Sequence, residues 1–126
     1  MRIVVLGDGL LGSEIVKQTG WDYISRKKDN FDINSSKDYS SFFMQDYDGV
    51  AFWKKYDIII NCIANTDTYS PNKEEIYNTN YKSVALLSDF CKKEQIKLVH
   101  ISTDYVYAGS VSNATEEDLP VPSNNW

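Results

Sequence analysis

Gly7-Asp8-Gly9-Leu10-Leu11-Gly12 constrains the fold of this 126-residue chain more than any other segment. The glycines are spaced GxGxxG, and an apolar run, Ile3-Val4-Val5-Leu6, leads straight into the first of them. Beyond the last, Leu11 and Ile15 repeat at helical spacing as far as Gly20, a natural helix stop. Alone the pattern is weak, because a chain with six glycines can produce it by chance. Between a strand and a helix it gains a mechanical meaning. Gly7 permits a tight turn, Gly9 lets backbone approach a pyrophosphate, and Gly12 lets the helix pack close on the strand. The helix start then offers free N–H groups and the positive end of its dipole to phosphate oxygens. Leu10 and Leu11 belong to the same cofactor-binding set. An ordinary glycine-rich turn is the alternative.

The remainder of the chain alternates strand and helix patterns. Residues 2–6 read as a buried central strand, 10–19 as a short helix with Leu11, Ile15 and Gln18 on one face, and 21–25 as a second strand. Residues 26–30 read as a polar loop and 31–33 as a minimal third strand. Ser35 or Ser36 can cap a helix through about residue 44, with Tyr39, Phe42 and Phe43 turned inward. Residues 45–55 lack clean periodicity and read as a loop with a helical turn. Ile58, Ile59 and Ile60 make 56–63 the strongest strand pattern, buried on both faces. A helix over about 73–93 follows, with Val84, Leu87 and Cys91 on one face, and 97–101 is the last strand. Beyond Gly109 the chain is polar, broken by Pro120 and Pro122. This order predicts an α/β architecture: a parallel sheet of about five strands, order 3-2-1-4-5, with flanking helices. It is one NAD(P)-binding Rossmann domain over residues 1–126, with its ligand crevice at the carboxyl ends of the strands.

Composition removes other classes. The net charge of −5 argues against a general nucleic-acid binder, which needs a basic face. The apolar runs fall far short of the about 20 residues that span a bilayer, and the first is too short for a signal peptide. Cys62 and Cys91 lie in apolar patterns and read as buried thiols, neither a disulfide nor a metal site; a reducing cytoplasm is the default.

The last strand changes character within one residue. Val99-His100-Ile101 is followed by Ser102-Thr103-Asp104-Tyr105-Val106-Tyr107. Functional groups in open α/β sheets sit at strand carboxyl ends, so Thr103 is the candidate catalytic hydroxyl. His100, the only histidine, reads as a structural group hydrogen-bonded in the sheet, because a lone histidine has no nucleophile to serve here. Tyr105 and Tyr107 either line the pocket or cover the last strand. Asp104 could pair with Asp67, with loop capping as the alternative.

The second strand pattern ends in Ser25-Arg26-Lys27-Lys28. Sites for NAD usually carry an acid there for the ribose 2′-hydroxyl. A hydroxyl and cations instead fit a 2′-phosphate through charge-assisted hydrogen bonds, which predicts a preference for NADP over NAD. A solvated basic turn is the alternative.

With these residues in place, the chain resembles the extended short-chain dehydrogenase/reductase family, and most closely its dTDP-4-dehydrorhamnose reductase (RmlD-type) branch. The resemblance covers essentially the whole chain: GDGLLG at 7–12, FDIN at 31–34, IIINCIANT at 58–66, Tyr77-Asn78-Thr79-Asn80, and HISTDYVYAG at 100–109. It implies that Thr103 is the triad hydroxyl that hydrogen-bonds the substrate's keto oxygen. It places Asp32 and Ile33 at the adenine, and Cys62, Ile63 and Ala64 along the cofactor's phosphates and ribose. Asn80 supports that region, Ser102 belongs to the cofactor set, and Asp104 and Tyr105 orient a nucleotide-sugar substrate. The family's Tyr-x-x-x-Lys is expected immediately after Trp126, so the chain reads as a truncated cofactor-binding part, inactive alone. The resemblance implies hydride transfer from NADPH to a 4-keto sugar nucleotide. An epimerase or dehydratase of the same family, or a non-catalytic NADP-binding regulatory subunit, are the alternatives. No nucleic-acid or membrane partner is implied, and a homo-oligomer is left open.

Overall fold

The computed structural model describes residues 1–35, 46–47, 50–51, 55–67, 69–107 and 113–121. Val4, Val5 and Leu6 of strand β1 (Ile3–Leu6) are fully buried. A strand with apolar groups on both faces must be covered on both, so β1 becomes the centre of the sheet. It pairs in parallel with β2 (Asp22–Ile24) on one side and with β5 (Ile58–Asn61) on the other. Strand β6 (Lys97–His100) pairs in parallel with β5. The order is β2-β1-β5-β6. This is the expected parallel α/β array without its third strand.

That third strand is replaced by a turn. Phe31 and Ile33 are buried, as their alternation predicts, but the backbone does not extend. Asn30 adopts a left-handed φ of 56°, the Asp32 carboxylate accepts the Asn34 N–H at 3.0 Å, and the Asp32 carbonyl accepts the Ser35 N–H. Asn and Asp side chains offer the backbone these local bonds in place of a ladder. The expected loop over 26–30 is one helical turn, α2 (Arg26–Asp29), capped by Ser25. The unreadable stretch holds a two-residue antiparallel pair, β3 (Asp46–Tyr47) with β4 (Val50–Ala51). The helix expected through residue 44, with Tyr39, Phe42 and Phe43, lies outside the described residues.

Helix α1 (Leu10–Thr19) ends at Gly20, whose φ of 69° is the left-handed stop that the sequence implied. Its packing face differs from the expected one. Gly12 is buried and Ile15 and Val16 are half-buried, whereas Leu11 is 46% exposed and Gln18 is exposed, bonded to Glu14. The long helix comes in three pieces: α3 (Lys73–Tyr77), a π turn (Asn78–Lys82) and α4 (Ser83–Lys93). Asn72 caps its start by accepting the Glu75 N–H, and Lys92 and Lys93 stand at the negative end of the helix dipole. Leu87 and Cys91 pack on the sheet with Leu6, Ile59 and Phe31. Burial pushes the Cys91 thiol up to about 11, so it stays a neutral packing group.

Two expectations about strand burial change. In β5, Ile59 is buried but Ile58 and Ile60 are half-buried. At β6, Val99 and the following Ile101 are exposed, because β6 is the edge of the sheet. Among the described residues no helix is long and apolar enough to cross a membrane.

Candidate functional site

The parallel register brings four strand ends into one row. The Gly7 N–H donates to the Ile24 carbonyl at 2.8 Å, the Cys62 N–H to the Leu6 carbonyl at 2.9 Å, and the Ile101 N–H to the Asn61 carbonyl at 3.1 Å. The chain therefore leaves the sheet at Ser25, Gly7, Cys62 and Ile101 side by side, with Ser102, exposed, one residue further on. At ordinary interstrand spacing the row is about 14 Å long.

At its centre the glycine loop does what its spacing implied. Gly7 has a φ of 96°, a conformation that side chains resist, and a Cβ there would meet Ile63. A Cβ on Gly12 would drive into the Gly7 carbonyl and reach Cys62. Gly9 differs: nothing lies within 4 Å of the place its Cβ would occupy. It is also the N-cap of α1, with no side-chain cap and no acid in the first turn. The first N–H groups of the helix thus face open space beside a bare backbone, an arrangement that suits phosphate oxygens. Leu10, 95% exposed, and Leu11 flank this opening.

One end of the row is the α2 turn. Ser25 is fully buried and its hydroxyl accepts the Lys28 N–H at 3.0 Å, so this hydroxyl caps the turn. The Lys28 ammonium folds back to the Tyr23 carbonyl at 2.7 Å and over the Tyr23 ring. Arg26 reaches Asp32 at 3.3 Å, both side chains being well exposed, and Lys27 is exposed. The structure thus takes Ser25 and Lys28 into the turn itself and leaves Arg26 and Lys27 at the surface. Ile33, buried, holds the neighbouring Asp32 turn to the core.

Towards the other end, Cys62 and Ile63 are half-buried and Ala64 is exposed. Burial raises the Cys62 thiol above its ordinary value, so it meets the glycine loop as a neutral group. Asn80 clamps the segment behind it: its Oδ1 accepts the Asn65 N–H at 2.7 Å and its Nδ2 donates to the Asn65 carbonyl at 2.9 Å. After β6, Thr103 is half-buried, and its Oγ1 accepts the Tyr105 N–H at 3.3 Å and donates to Asp104 at 3.4 Å. Asp104 and Tyr105, both exposed, open a 3₁₀ turn, Asp104–Tyr107. Asp67 bonds the Tyr69 N–H, a loop cap, and no group of three metal-ligating side chains occurs among the described residues.

Three buried polar groups, Asn61, Thr79 and Ser83, escaped sequence reasoning. Asn61 is completely buried; its Oδ1 accepts the Ile63 N–H at 3.1 Å and its Nδ2 lies 3.2 Å from His100 Nδ1. The visible signal was a polar residue ending an isoleucine run. Thr79, buried in the π turn, accepts a hydrogen bond from Asn34 Nδ2 at 2.8 Å. Nothing in the sequence pairs residues 45 positions apart.

His100 lies within the sheet network, as expected for a structural histidine. The residue is exposed on the edge strand, and the partial desolvation of its ring holds the imidazole pKa below its ordinary value. A folded pKa below the unfolded one contributes stability above the unfolded value near 6.5 that is lost as pH falls through the folded pKa. Urea unfolding should therefore show stability declining below about pH 6.5, and His100→Phe should flatten that part of the profile. An unchanged profile would remove His100 from the account.

The family model for the RmlD substrate binding domain matches residues 1–126, the entire chain. The chain belongs to the RmlD substrate binding domain family. An RmlD-family relative, the dTDP-4-dehydrorhamnose reductase of Mycobacterium tuberculosis, is 28% identical over 119 residues, covering 90% of this chain and 36% of its own. The probable low-salt glycan biosynthesis reductase Agl14 of Haloferax volcanii is 36% identical over 73 residues, 56% of this chain and 24% of that protein. Among solved structures, dTDP-4-dehydrorhamnose reductase from Bacillus anthracis in complex with NADP superposes with a TM-score of 0.76 at 23% identity, over 96% of this chain and 43% of that one. ADP-L-glycero-D-manno-heptose-6-epimerase from Helicobacter pylori gives the same TM-score at 18% identity, over 98% and 46%. These likenesses bear out the α/β Rossmann-type sheet. The RmlD-family chain described here spans a quarter to under a half of the length of these relatives.

Proposed function

We propose that residues 1–126 form the NAD(P)-binding Rossmann domain of a sugar-nucleotide reductase that reduces a 4-keto sugar nucleotide. The observation that carries this reading is the space beside Gly9, at an uncapped helix start in the middle of the strand-end row. The residues present fit a dinucleotide. Gly9 and the first N–H groups of α1 would hold the pyrophosphate, Arg26 and Lys27 the adenosine end, and Cys62, Ile63 and Ala64 the backbone wall along the ribose. When bound, the nicotinamide supplies hydride chemistry. The Thr103 hydroxyl, at the other end of the row, would hydrogen-bond the keto oxygen, with Asp104 and Tyr105 orienting the sugar.

NADP preference rests on Arg26. Its exposed pair with Asp32 is worth about 0–1 kcal/mol, whereas hydrogen bonds between charged groups contribute about 1.5–3 kcal/mol. A 2′-phosphate can therefore take the guanidinium from Asp32. Arg26→Asp should weaken NADPH binding about 10-fold or more while leaving NADH nearly unchanged, as read by fluorescence titration. An unaltered NADPH-to-NADH ratio would sink the preference, and no binding of either dinucleotide would sink the cofactor reading. In a protein that carries this chain together with the expected Tyr-x-x-x-Lys, consumption of NADPH when a 4-keto sugar nucleotide is added distinguishes a reductase from a redox-neutral epimerase, which returns product with its cofactor unchanged. The localisation that suits this reading is the cytoplasm.

A further inference from the structure

We propose that Thr79 is a positioning residue that couples the two ends of the cleft, carrying occupancy of the adenosine end to the loop after β5. This rests on the dinucleotide reading above.

Thr79 lies in the π turn Asn78–Lys82, between α3 and α4. Such turns are rare, occur as single widened turns inside α-helices, and gather at functional sites. Neither glycine nor proline is present in this one to account for it. Two consecutive residues of this turn reach two different loops. Thr79 Oγ1 accepts from Asn34 Nδ2 at 2.8 Å, on the adenosine side. Asn80 grips the Asn65 N–H and carbonyl at 2.7 and 2.9 Å, on the opposite side. The Ser83 hydroxyl, buried, donates to the Thr79 carbonyl at 2.6 Å and holds the turn.

The bonds continue outward on both sides. Arg26 reaches Asp32 at 3.3 Å, and the same carboxylate oxygen accepts the Asn34 N–H at 3.0 Å. On the far side, Asn65 Oδ1 accepts the Asp67 N–H at 3.0 Å. Two series of hydrogen bonds, joined by the covalent Thr79–Asn80 link of one π turn, thus run from the cation at the adenosine end to residues 65–67. Both loops must be ordered to hold a ligand, and both hang on adjacent residues of the same turn. Ordering one through Asn34 and Thr79 removes freedom that the other would lose on binding, which is positive coupling.

Amide hydrogen exchange by NMR, with 2′,5′-ADP and with 5′-AMP as ligands that fill the adenosine end and place a 5′-phosphate at residues 9–12, tests this. In the parent chain, the ligand that binds should slow exchange at the Asn65 and Asp67 amides about 5-fold or more. Thr79→Ser should keep that effect. Thr79→Val and Asn34→Ala should lose it while the amides of residues 9–12 stay protected. Asn34 is exposed, so its alanine variant remains a test even where Thr79→Val fails to fold. Protection at 9–12 without slowing at Asn65 and Asp67, or equal slowing in parent and Asn34→Ala, overturns the coupling and leaves the cofactor reading standing. No protection anywhere by either nucleotide overturns the cofactor reading, and the coupling with it.

Discussion

Gly12→Ala should destabilise the fold by about 1–3 kcal/mol or more and abolish dinucleotide binding. The added methyl would enter the space of the Gly7 carbonyl oxygen and carbon, and Cys62 Cβ stands 3.5 Å behind. Those neighbours are backbone and the root of a side chain, so they cannot swing away as the tip of a lysine would. Relief requires α1 to lift from β1 and β5, which opens the row of strand ends at its centre. Gly9→Ala is the control that separates folding from binding. Nothing lies within 4 Å of its Cβ position, and its φ of −66° suits alanine. Its stability cost should be about 1 kcal/mol, that of a poorer N-cap. Its dinucleotide affinity should nevertheless fall about 10-fold or more, since the methyl occupies space assigned to phosphate. Urea unfolding and NADPH titration of both variants decide this. Equal stability losses, or a Gly9→Ala variant that binds as well as the parent, would contradict the assignment.

Asn61→Leu should cost about 1–3 kcal/mol, because it keeps the branched shape but leaves the Ile63 N–H without its acceptor and puts two larger methyl groups into a fully buried position. His100 Nδ1 also loses its neighbour. Asn61 aligns with Leu6 on one side and His100 on the other, so the damage falls where three strands end together. Asn61→Asp makes the complementary test. The carboxylate still accepts from Ile63, but it faces His100 with a negative charge, which favours the imidazolium. The His100 pKa should rise above that of the parent, as read by NMR titration. Should it rise above the unfolded value, the sign of the linkage reverses. The pair would then add stability below about pH 6.5 that is lost as pH rises through the new folded pKa. A leucine variant as stable as the parent would show that solvent satisfies both groups.

Much of this molecule was legible in its residues. The GxGxxG loop, the run Ile3–Leu6 and the Gly20 stop encode local geometry and local burial, and periodicity reports both; the run Ile58–Ile60 marks its strand but not the half-burial of Ile58 and Ile60. Phe31 and Ile33 show the limit of that signal: their alternation correctly predicts burial but not the backbone path, because Asn30, Asp32 and Asn34 make short-range bonds that displace a strand. Ser25 shows another limit. Its place at a strand end suggested a ligand, and the fold uses its hydroxyl to cap α2. Leu11 carries helical spacing yet faces outward, because the close approach of Gly12 sets the rotation of α1.

The sequence by itself determined the element order, the central position of β1 and the chemistry gathered at the strand ends, since these follow from apolar pattern and glycine stereochemistry within short windows. The tertiary structure decided which polar groups meet. Asn61 finds His100, Asn80 finds Asn65, and Thr79 finds Asn34 across 45 residues of chain. Such pairs are chosen by strand register and by one widened helical turn. A buried polar group must find a partner, but only the packed fold determines which one comes within hydrogen-bonding distance.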